Sequence, residues 1–199
     1  MRSKGTITLV VLAVVLGLAG CGATSSYNTL VQSDESVKTA WSNLQAQYQR
    51  RADLIPNLVN TVKGAADFEK ETLQSVTEAR AKATSIQVSA DDLDNPQKIQ
   101  QFQQAQSALG KSLGRLLAVS ENYPQLQATQ AFSDLQAQLE GTENRITVAR
   151  RDYNNAVRQY NTKVRSFPTV IFASMMGFSP KTAFEAETGA DQAPDVSFD

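Results

Sequence analysis

The sequence predicts an all-α protein, an antiparallel bundle of about four helical segments. Apolar residues recur at three- and four-residue intervals through most of the chain, which is the spacing of a buried helix face. Aromatic residues make up only 7% of the sequence, and long stretches are rich in Gln and Ala, as is typical of helical proteins. Prolines and polar segments interrupt the pattern at a few places. The chain is therefore expected to divide into several packed helices.

Composition limits the classes of function. A chain of 199 residues with 41% hydrophobic and 20% charged residues fits one globular domain with short appendages. Its net charge of −1 indicates no particular class of partner. The sequence shows no basic stripe with interleaved aromatic residues and no Gly-rich phosphate loop after a predicted strand. Nucleic acid binding is therefore not expected.

The first 20 residues predict a signal peptide. Arg2 and Lys4 precede an almost unbroken apolar run over residues 7–19, the arrangement of a secretory signal. The run is shorter than the about 20 residues that a helix needs to cross a bilayer. The tetrapeptide Leu-Ala-Gly-Cys that ends at Cys21 is similar to the lipobox of bacterial lipoproteins, in which the cysteine is acylated. We therefore expect a protein that a lipid on Cys21 anchors to a membrane outside the cytoplasm.

The alternative is a single-pass protein that keeps an uncleaved N-terminal helix. Cys21 is the only cysteine, so no intrachain disulfide is possible, and acyl chains on it would give stable anchoring. Residues 22–26 are small and polar, which predicts a flexible tether. A helical bundle is then expected over residues 27–184.

The helical rhythm of the first bundle helix, which includes Trp41 as a predicted core residue, continues through Pro56. Proline lacks an amide hydrogen and clashes with the preceding turn, so the helix is expected to kink or to reverse there. A reversal would give an up-and-down bundle in which the first and last helices lie side by side, with Asn28 near Asn161. A kink alone would leave one long rod.

Polar residues cluster next to this proline. They are Arg50, Arg51, Asp53 and Asn57. One interpretation is a docking patch for a protein partner. The other is that the charged residues satisfy backbone carbonyls that Pro56 leaves without a donor.

The later helices have clearer boundaries. Asn95-Pro96 predicts a helix start, because Asn is a strong N-cap and Pro suits the first helical position. This helix is expected to end before Pro124. The most regular pattern in the chain then predicts one helix from about Thr129 to Ser166. Residues 85–94 are expected to form a loop.

The dipeptide Tyr-Asn occurs at Tyr153-Asn154 and again one heptad later at Tyr160-Asn161. Each amide lies beside a tyrosine on the buried stripe, so the two amides are expected to bond across helices and to fix their register. Ligand binding is the alternative.

Two features end the chain. Residues 169–178 form an apolar run that is too short to span a bilayer. We expect it to cover one end of the bundle, with contact to a membrane surface or a partner as the alternative. Residues 185–199 are acidic and predict a disordered tail.

Several stretches resemble signatures of the LemA family. They are residues 49–64 around Pro56, Glu121-Asn122-Tyr123-Pro124 with the residues up to Phe132, residues 140–146, and residues 150–154. The resemblance extends over residues 27–184. It implies a membrane-attached bacterial helical bundle with no assigned biochemical activity, and it adds Glu121 and Tyr123 to the candidate interaction residues.

The catalytic inventory is small. The sequence contains no His, which excludes imidazole bases and His-containing metal sites, including the Glu-x-x-His pairs of di-iron bundles. We therefore expect a non-enzymatic, membrane-anchored scaffold of the cell envelope with a protein partner, and no cofactor, metal or small-molecule substrate. The alternatives are an adaptor or sensor for an envelope protease or quality-control factor, and a carboxylate-dependent hydrolase with two converging acids.

Overall fold

The computed structural model describes residues 2–64 and 68–185, and within the first helix it describes side chains at residue 9 and from residue 24 onward. The described residues form helices and contain no strand, which confirms the all-α prediction. The helices are α1 (Arg2–Lys63), α2 (Lys70–Ser85), α3 (Pro96–Ser120), α4 (Pro124–Gln127), α5 (Gln130–Arg165) and α6 (Thr169–Ala173), with 3-10 turns at Ala90–Asp92 and Ser174–Met176.

Helix α1 passes through Pro56 and ends only at Lys63. The chain reverses between α1 and α2, so of the two alternatives at Pro56, a kink or a reversal, the reversal is wrong. A rod that continues into α2 is also wrong, because α2 folds back beside α1, where Arg80 Nε donates to Ala52 O at 2.7 Å.

That hydrogen bond explains how α1 tolerates the proline. In a regular helix the carbonyl of Ala52 would accept from the amide at position 56, and proline has none. Arg80 supplies the missing donor from α2, and the Pro56 ring lies on the exposed side of α1. A residue of another helix therefore has the role that one interpretation gave to Arg50, Arg51 and Asp53.

Helix α1 also begins earlier than predicted. The expected tether over residues 22–26 is helical, because adding residues to an existing helix is much easier than nucleating a new one. The side chain of Cys21 is outside the described residues, and so are residues 186–199 of the predicted tail. The signal peptide, the lipid and the tail stay predictions.

The boundaries of α3 and α5 confirm the sequence analysis. Asn95 Oδ1 accepts from the amides of Gln97 and Lys98 at 3.1 and 3.2 Å, which makes it the N-cap of α3. Thr129 Oγ1 accepts from the amide of Phe132 at 3.4 Å at the start of α5. Helix α5 is one continuous helix, as its regular apolar pattern predicts.

The first and last long helices run antiparallel, side by side. The polar contacts along them are Ser33 with Lys163 at 2.7 Å, Tyr48 with Arg150 at 3.0 Å and Arg51 with Glu143 at 2.7 Å. Residue numbers rise along α1 as they fall along α5. The predicted adjacency of these helices is confirmed.

The core has two apolar parts. One surrounds Trp41, whose side chain is 1% exposed and whose Nε1 donates to Val88 O at 3.2 Å, so its predicted core position is confirmed. The other is formed by the C-terminal part of α1 together with α2, α3 and the start of α5. Its fully buried residues include Ile55, Leu58, Val62, Val76, Leu109, Leu116 and Phe132.

Replacing Arg80 with Ala is expected to lower the free energy of unfolding by about 1–3 kcal/mol, because the buried carbonyl of Ala52 then lacks a donor. In a Pro56→Ala background the same replacement is expected to have a smaller effect, because the new amide at position 56 donates to that carbonyl. Urea denaturation of the four proteins measures this coupling. Lys82→Ala, on the exposed face of α2, is the control. Equal effects of the Arg80 replacement in both backgrounds would contradict the role given to Arg80.

Candidate interaction site

Arg51 is buried inside the bundle, with 3% of its side chain exposed. Its Nη1 donates to Glu143 Oε1 at 2.7 Å. Its Nη2 donates to both the backbone oxygen and Oε1 of Gln106, at 3.0 and 2.7 Å. The guanidinium also lies 5.3 Å from the centroid of the Tyr48 ring, within cation–π distance. Arg51 thereby connects α1 to α3 and α5.

These contacts lie where the two parts of the core meet. Tyr48, Phe102 and Ile146 belong to the part around Trp41, whereas Ile55, Ala105 and Leu139 belong to the other part. Gln106 Nε2 also donates to Ala83 O of α2 at 3.4 Å. We refer to Arg51, Arg80, Gln106 and Glu143 as the Arg51 layer. It joins α1, α2, α3 and α5 at one level of the bundle.

The Arg51 layer has one side open to solvent. A buried guanidinium is costly unless it is paired and hydrogen bonded. Both Nη atoms of Arg51 meet these conditions, whereas its buried Nε has no hydrogen-bond partner among the described residues. The Glu143 side chain is 47% exposed, so water weakens the attraction between the two charges. The layer therefore contributes directional hydrogen bonds more than a large net stabilisation.

The other predicted residues near Pro56 lie elsewhere on α1. Arg50, Asp53 and Asn57 are exposed. Asp53 accepts from Gln49 Nε2 at 2.7 Å, within the same helix. The structure thus separates Arg51, which faces the core, from its three neighbours in the candidate list. A partner contact through Arg50, Asp53 and Asn57 stays a prediction.

Glu121 and Tyr123 lie at the end of the bundle where α3 ends. Glu121 is exposed, and its amide donates to Ala118 O at 3.3 Å. Tyr123 is half-buried, and its ring packs on Phe68 with centroids 4.9 Å apart. These two residues are at the opposite end of α5 from Asn161.

Asn154 and Asn161 bind the chain's own C-terminal segment, residues 179–185, which we call the strap. Asn161 donates from Nδ2 to Lys181 O and accepts at Oδ1 from Lys181 N, both at 2.8 Å. Asn154 makes the same pair of bonds with Phe184, at 3.0 and 2.9 Å. The expected bonds between helices are therefore wrong, because the partner of each amide is the backbone of a non-helical segment.

The spacing explains why both amides reach the strap. Two positions one heptad apart on a helix are separated by about 10.5 Å. Three residues of extended chain cover about 10 Å, which matches the step from Lys181 to Phe184. An asparagine side chain carries one donor and one acceptor group, so it pairs with the N–H and the C=O of one residue. This contact depends little on the identity of the strap side chain.

Further contacts fix the strap. The Tyr153 hydroxyl donates to Thr182 O at 2.8 Å, and burial raises the pKa of this hydroxyl above its usual value, so it stays a neutral donor. Thr182 N donates to Leu93 O at 2.7 Å. The Phe184 side chain is 5% exposed and packs on the rings of Trp41 and Tyr153, with centroids 6.1 and 5.6 Å away. The strap is an integral part of the core.

An open groove of about 800 Å³ runs between α1 and α5. Its lining contains no residue of α2 or α3 and consists mainly of small and polar side chains. We call it the α1–α5 groove. The residues that line it are Gln32, Glu35, Ser36, Thr39, Ala40, Asn43, Gln47, Asn144, Arg145, Val148, Ala149 and Asp152. Val148 is 47% exposed, so the groove offers an apolar contact among polar ones.

The described residues include no group of three or more His, Cys, Asp or Glu placed to hold a metal ion.

The pKa of one carboxyl between α2 and α3, that of Asp92, is perturbed by its neighbours. Lys98 Nζ, 2.6 Å away, and Ser89 lower the pKa of this carboxyl to about 2. Within the described part of the chain, no helix is both long and apolar enough to cross a membrane.

Sequence analysis did not single out Arg80, Gln106 or the strap as functional elements. A proline in a continuous helix signals a carbonyl that needs another donor, but the sequence does not say which residue supplies it. The paired amides at Asn154 and Asn161 signal a partner with matching spacing. The strap, which is that partner, has no periodic pattern in its sequence, so the sequence does not identify it.

Known proteins resemble this chain over most of its length. A model of the LemA family matches residues 40–198. The magnetosome protein MamQ 2 of Paramagnetospirillum magneticum is 27% identical over 206 residues, which cover 94% of this chain and 76% of that protein. Protein LemA of Metamycoplasma hominis is 26% identical over 159 residues, which cover 80% of this chain and 68% of that protein. None of these names is that of an enzyme.

Replacing Asn161 with Ala is expected to increase hydrogen exchange at the amide of Lys181, because this amide loses its acceptor and the strap opens locally. We expect the free energy of local opening to fall by about 1–3 kcal/mol. Amide exchange followed by mass spectrometry measures the change. The matched control is Asn155→Ala, because the Asn155 side chain accepts from Arg158 of the same helix. Equal protection of the strap in both variants would contradict its attachment through Asn161.

Proposed function

We propose that this chain, which belongs to the LemA family, is a non-enzymatic, membrane-anchored scaffold of the bacterial cell envelope that offers the α1–α5 groove to a protein partner. One observation carries the proposal. Arg51, Asn154 and Asn161 bind groups of the chain itself, whereas the α1–α5 groove is open. The internal sites maintain the fold, and the groove is an open surface that is available to a partner.

The N-terminal sequence supports the membrane setting. The apolar run over residues 7–19 and the lipobox-like tetrapeptide that ends at Cys21 favour an acylated Cys21 as the anchor. An uncleaved N-terminal helix is the alternative anchor. Both place the membrane at the N-terminal end of α1.

An adaptor or sensor for an envelope protease is a special case of this proposal, in which the protease is the partner. A carboxylate-dependent hydrolase has less support. Such an enzyme needs two converging acids, one with a raised pKa. Glu143 instead pairs with Arg51 at 2.7 Å, and the pKa of Asp92 is lowered.

Photocrosslinking in cells tests the groove. A photoreactive residue at position 148, inside the groove, is expected to give an adduct of defined mass in the membrane fraction, because a bound partner contacts that surface. The same residue at position 138 is the control, because Gln138 is exposed on α5 outside the groove lining. Equal crosslinking at both positions would contradict the proposal.

A pair of serines on α1 makes the test specific. Ser36 lines the groove, whereas Ser42 does not, and both are exposed. Ser36→Arg is expected to abolish the adduct at position 148, because it places a long charged side chain in the groove. Ser42→Arg is expected to leave the adduct unchanged. Turnover of a substrate by the purified protein that is lost in Glu143→Gln or Glu121→Gln would overturn the scaffold proposal.

A further inference from the structure

Exposed apolar side chains cluster after the end of α5. Phe167 is 81% exposed, Ile171 54% and Met175 84%. Val170 and Met176 are also exposed, at 45% and 37%. We call these five residues the apolar cap. Among the residues whose side chains the structure describes, the other exposed large hydrophobics are Leu9, Tyr27 and Val148, so the cap is a concentrated patch of the kind that marks an interaction surface.

The apolar cap lies at the N-terminal end of the packed bundle. Lys163, near the end of α5, donates to Ser33 Oγ at 2.7 Å. Phe178, just after the cap, packs on the Tyr27 ring with centroids 5.7 Å apart. Helix α1 continues from Tyr27 back toward Arg2. With a rise of 1.5 Å per residue, Cys21 lies about 9 Å along the helix from Tyr27.

The membrane is therefore expected on the side of the bundle that carries the cap. Either form of the anchor, a lipid on Cys21 or the apolar run over residues 7–19, places the bilayer surface about 9–12 Å along the helix from Tyr27. An amphipathic segment at an interface buries its apolar side chains about 5–10 Å into the boundary between headgroups and acyl chains. The exposed side chains of the cap are at a suitable level for this contact.

The charges around the cap favour an anionic surface. Between Tyr153 and Phe184 the sequence contains four basic residues and no acidic one. They are Arg158, Lys163, Arg165 and Lys181. Three acidic residues also lie at this end of the bundle: Asp34 lies 3.6 Å from Lys181, Asp94 accepts from Ser179 at 2.8 Å, and the exposed Glu35 pairs with Lys38 at 2.8 Å. Arg158 and Arg165 are exposed, so they are available to anionic headgroups.

We propose that the apolar cap inserts into the interfacial region of a bilayer that contains anionic lipid, as a second membrane contact beside the N-terminal anchor. This inference rests on the membrane setting of the proposed function. Two contacts on different elements, the N-terminal part of α1 and the segment after α5, hold the bundle in one orientation. A single anchor at the N-terminal end of α1 leaves the tilt of the bundle relative to the membrane free. The α1–α5 groove would then stand at a fixed angle to the membrane.

The test uses the full chain in vesicles of phosphatidylcholine and phosphatidylglycerol. A genetically encoded, environment-sensitive fluorescent residue replaces Ile171 in the cap or, as the control, Gln125, which is exposed on α4 at the other end of the bundle. Fluorescence at position 171 is expected to shift to the blue and to be quenched severalfold by brominated acyl chains. Fluorescence at position 125 is expected to show neither change. Vesicles without phosphatidylglycerol are expected to give weaker quenching at position 171.

A second variant tests whether the quenching at position 171 depends on the apolar surface of the cap in a protein that is still folded. Met175→Glu places a charge in the cap at a position that is 84% exposed, so the bundle stays folded, as circular dichroism verifies. Quenching at position 171 is expected to disappear while the protein still floats with the vesicles. If the protein with the fluorescent residue at position 171 and without Met175→Glu floats with the vesicles but is not quenched, the proposal is overturned. Crosslinking between position 171 of two copies, in place of quenching, would also overturn it, because a second copy would then cover the cap.

The anchor is measured separately. If Cys21→Ser floats as fully as the unchanged protein, the lipid on Cys21 is not the anchor, and quenching at position 171 still decides whether the cap enters the bilayer.

Discussion

A buried arginine that is hydrogen bonded to neighbouring helices is the constraint on which this bundle depends. Apolar stripes of Leu, Val and Ala attract one another without directional preference, so two helices can pack in registers that differ by one turn, about 5.4 Å. Hydrogen bonds do not allow such a shift. The bonds from Arg51 to Gln106 and Glu143 therefore select one alignment of α1, α3 and α5.

The proline just over one turn further along α1 extends this alignment to α2. Pro56 leaves the carbonyl of Ala52 without its usual donor, and Arg80 of α2 supplies one. A defect in one helix thus becomes an attachment point for another. The stretch that resembles the family signature contains Arg51, Ala52 and Pro56, and each has a defined part in joining the helices.

Local signals in the sequence predicted the elements that depend on neighbouring residues. Asn95 and Thr129 begin helices because their side chains cap amides two or three positions away. Partners distant in sequence were not predictable in this way. The donor for Ala52 is 28 residues away, and the strap that Asn161 binds has no periodic pattern. The sequence did contain one signal that Arg51 is buried. Arg51 follows the three- and four-residue spacing of the buried residues Tyr48 and Ile55, whereas Arg50 does not.

The most direct test of this account replaces three polar side chains of the Arg51 layer with apolar ones of similar size, as Arg51→Met, Gln106→Leu and Glu143→Leu together, and leaves Arg80 on Ala52. Spin labels at the exposed positions Ser42 of α1 and Gln138 of α5, in a Cys21→Ser background, report the alignment of the two helices as a distribution of distances. The account predicts one narrow distance in the unchanged layer and a broad or double distribution in the apolar layer, with stability retained. A single unchanged distance in the apolar variant would contradict it.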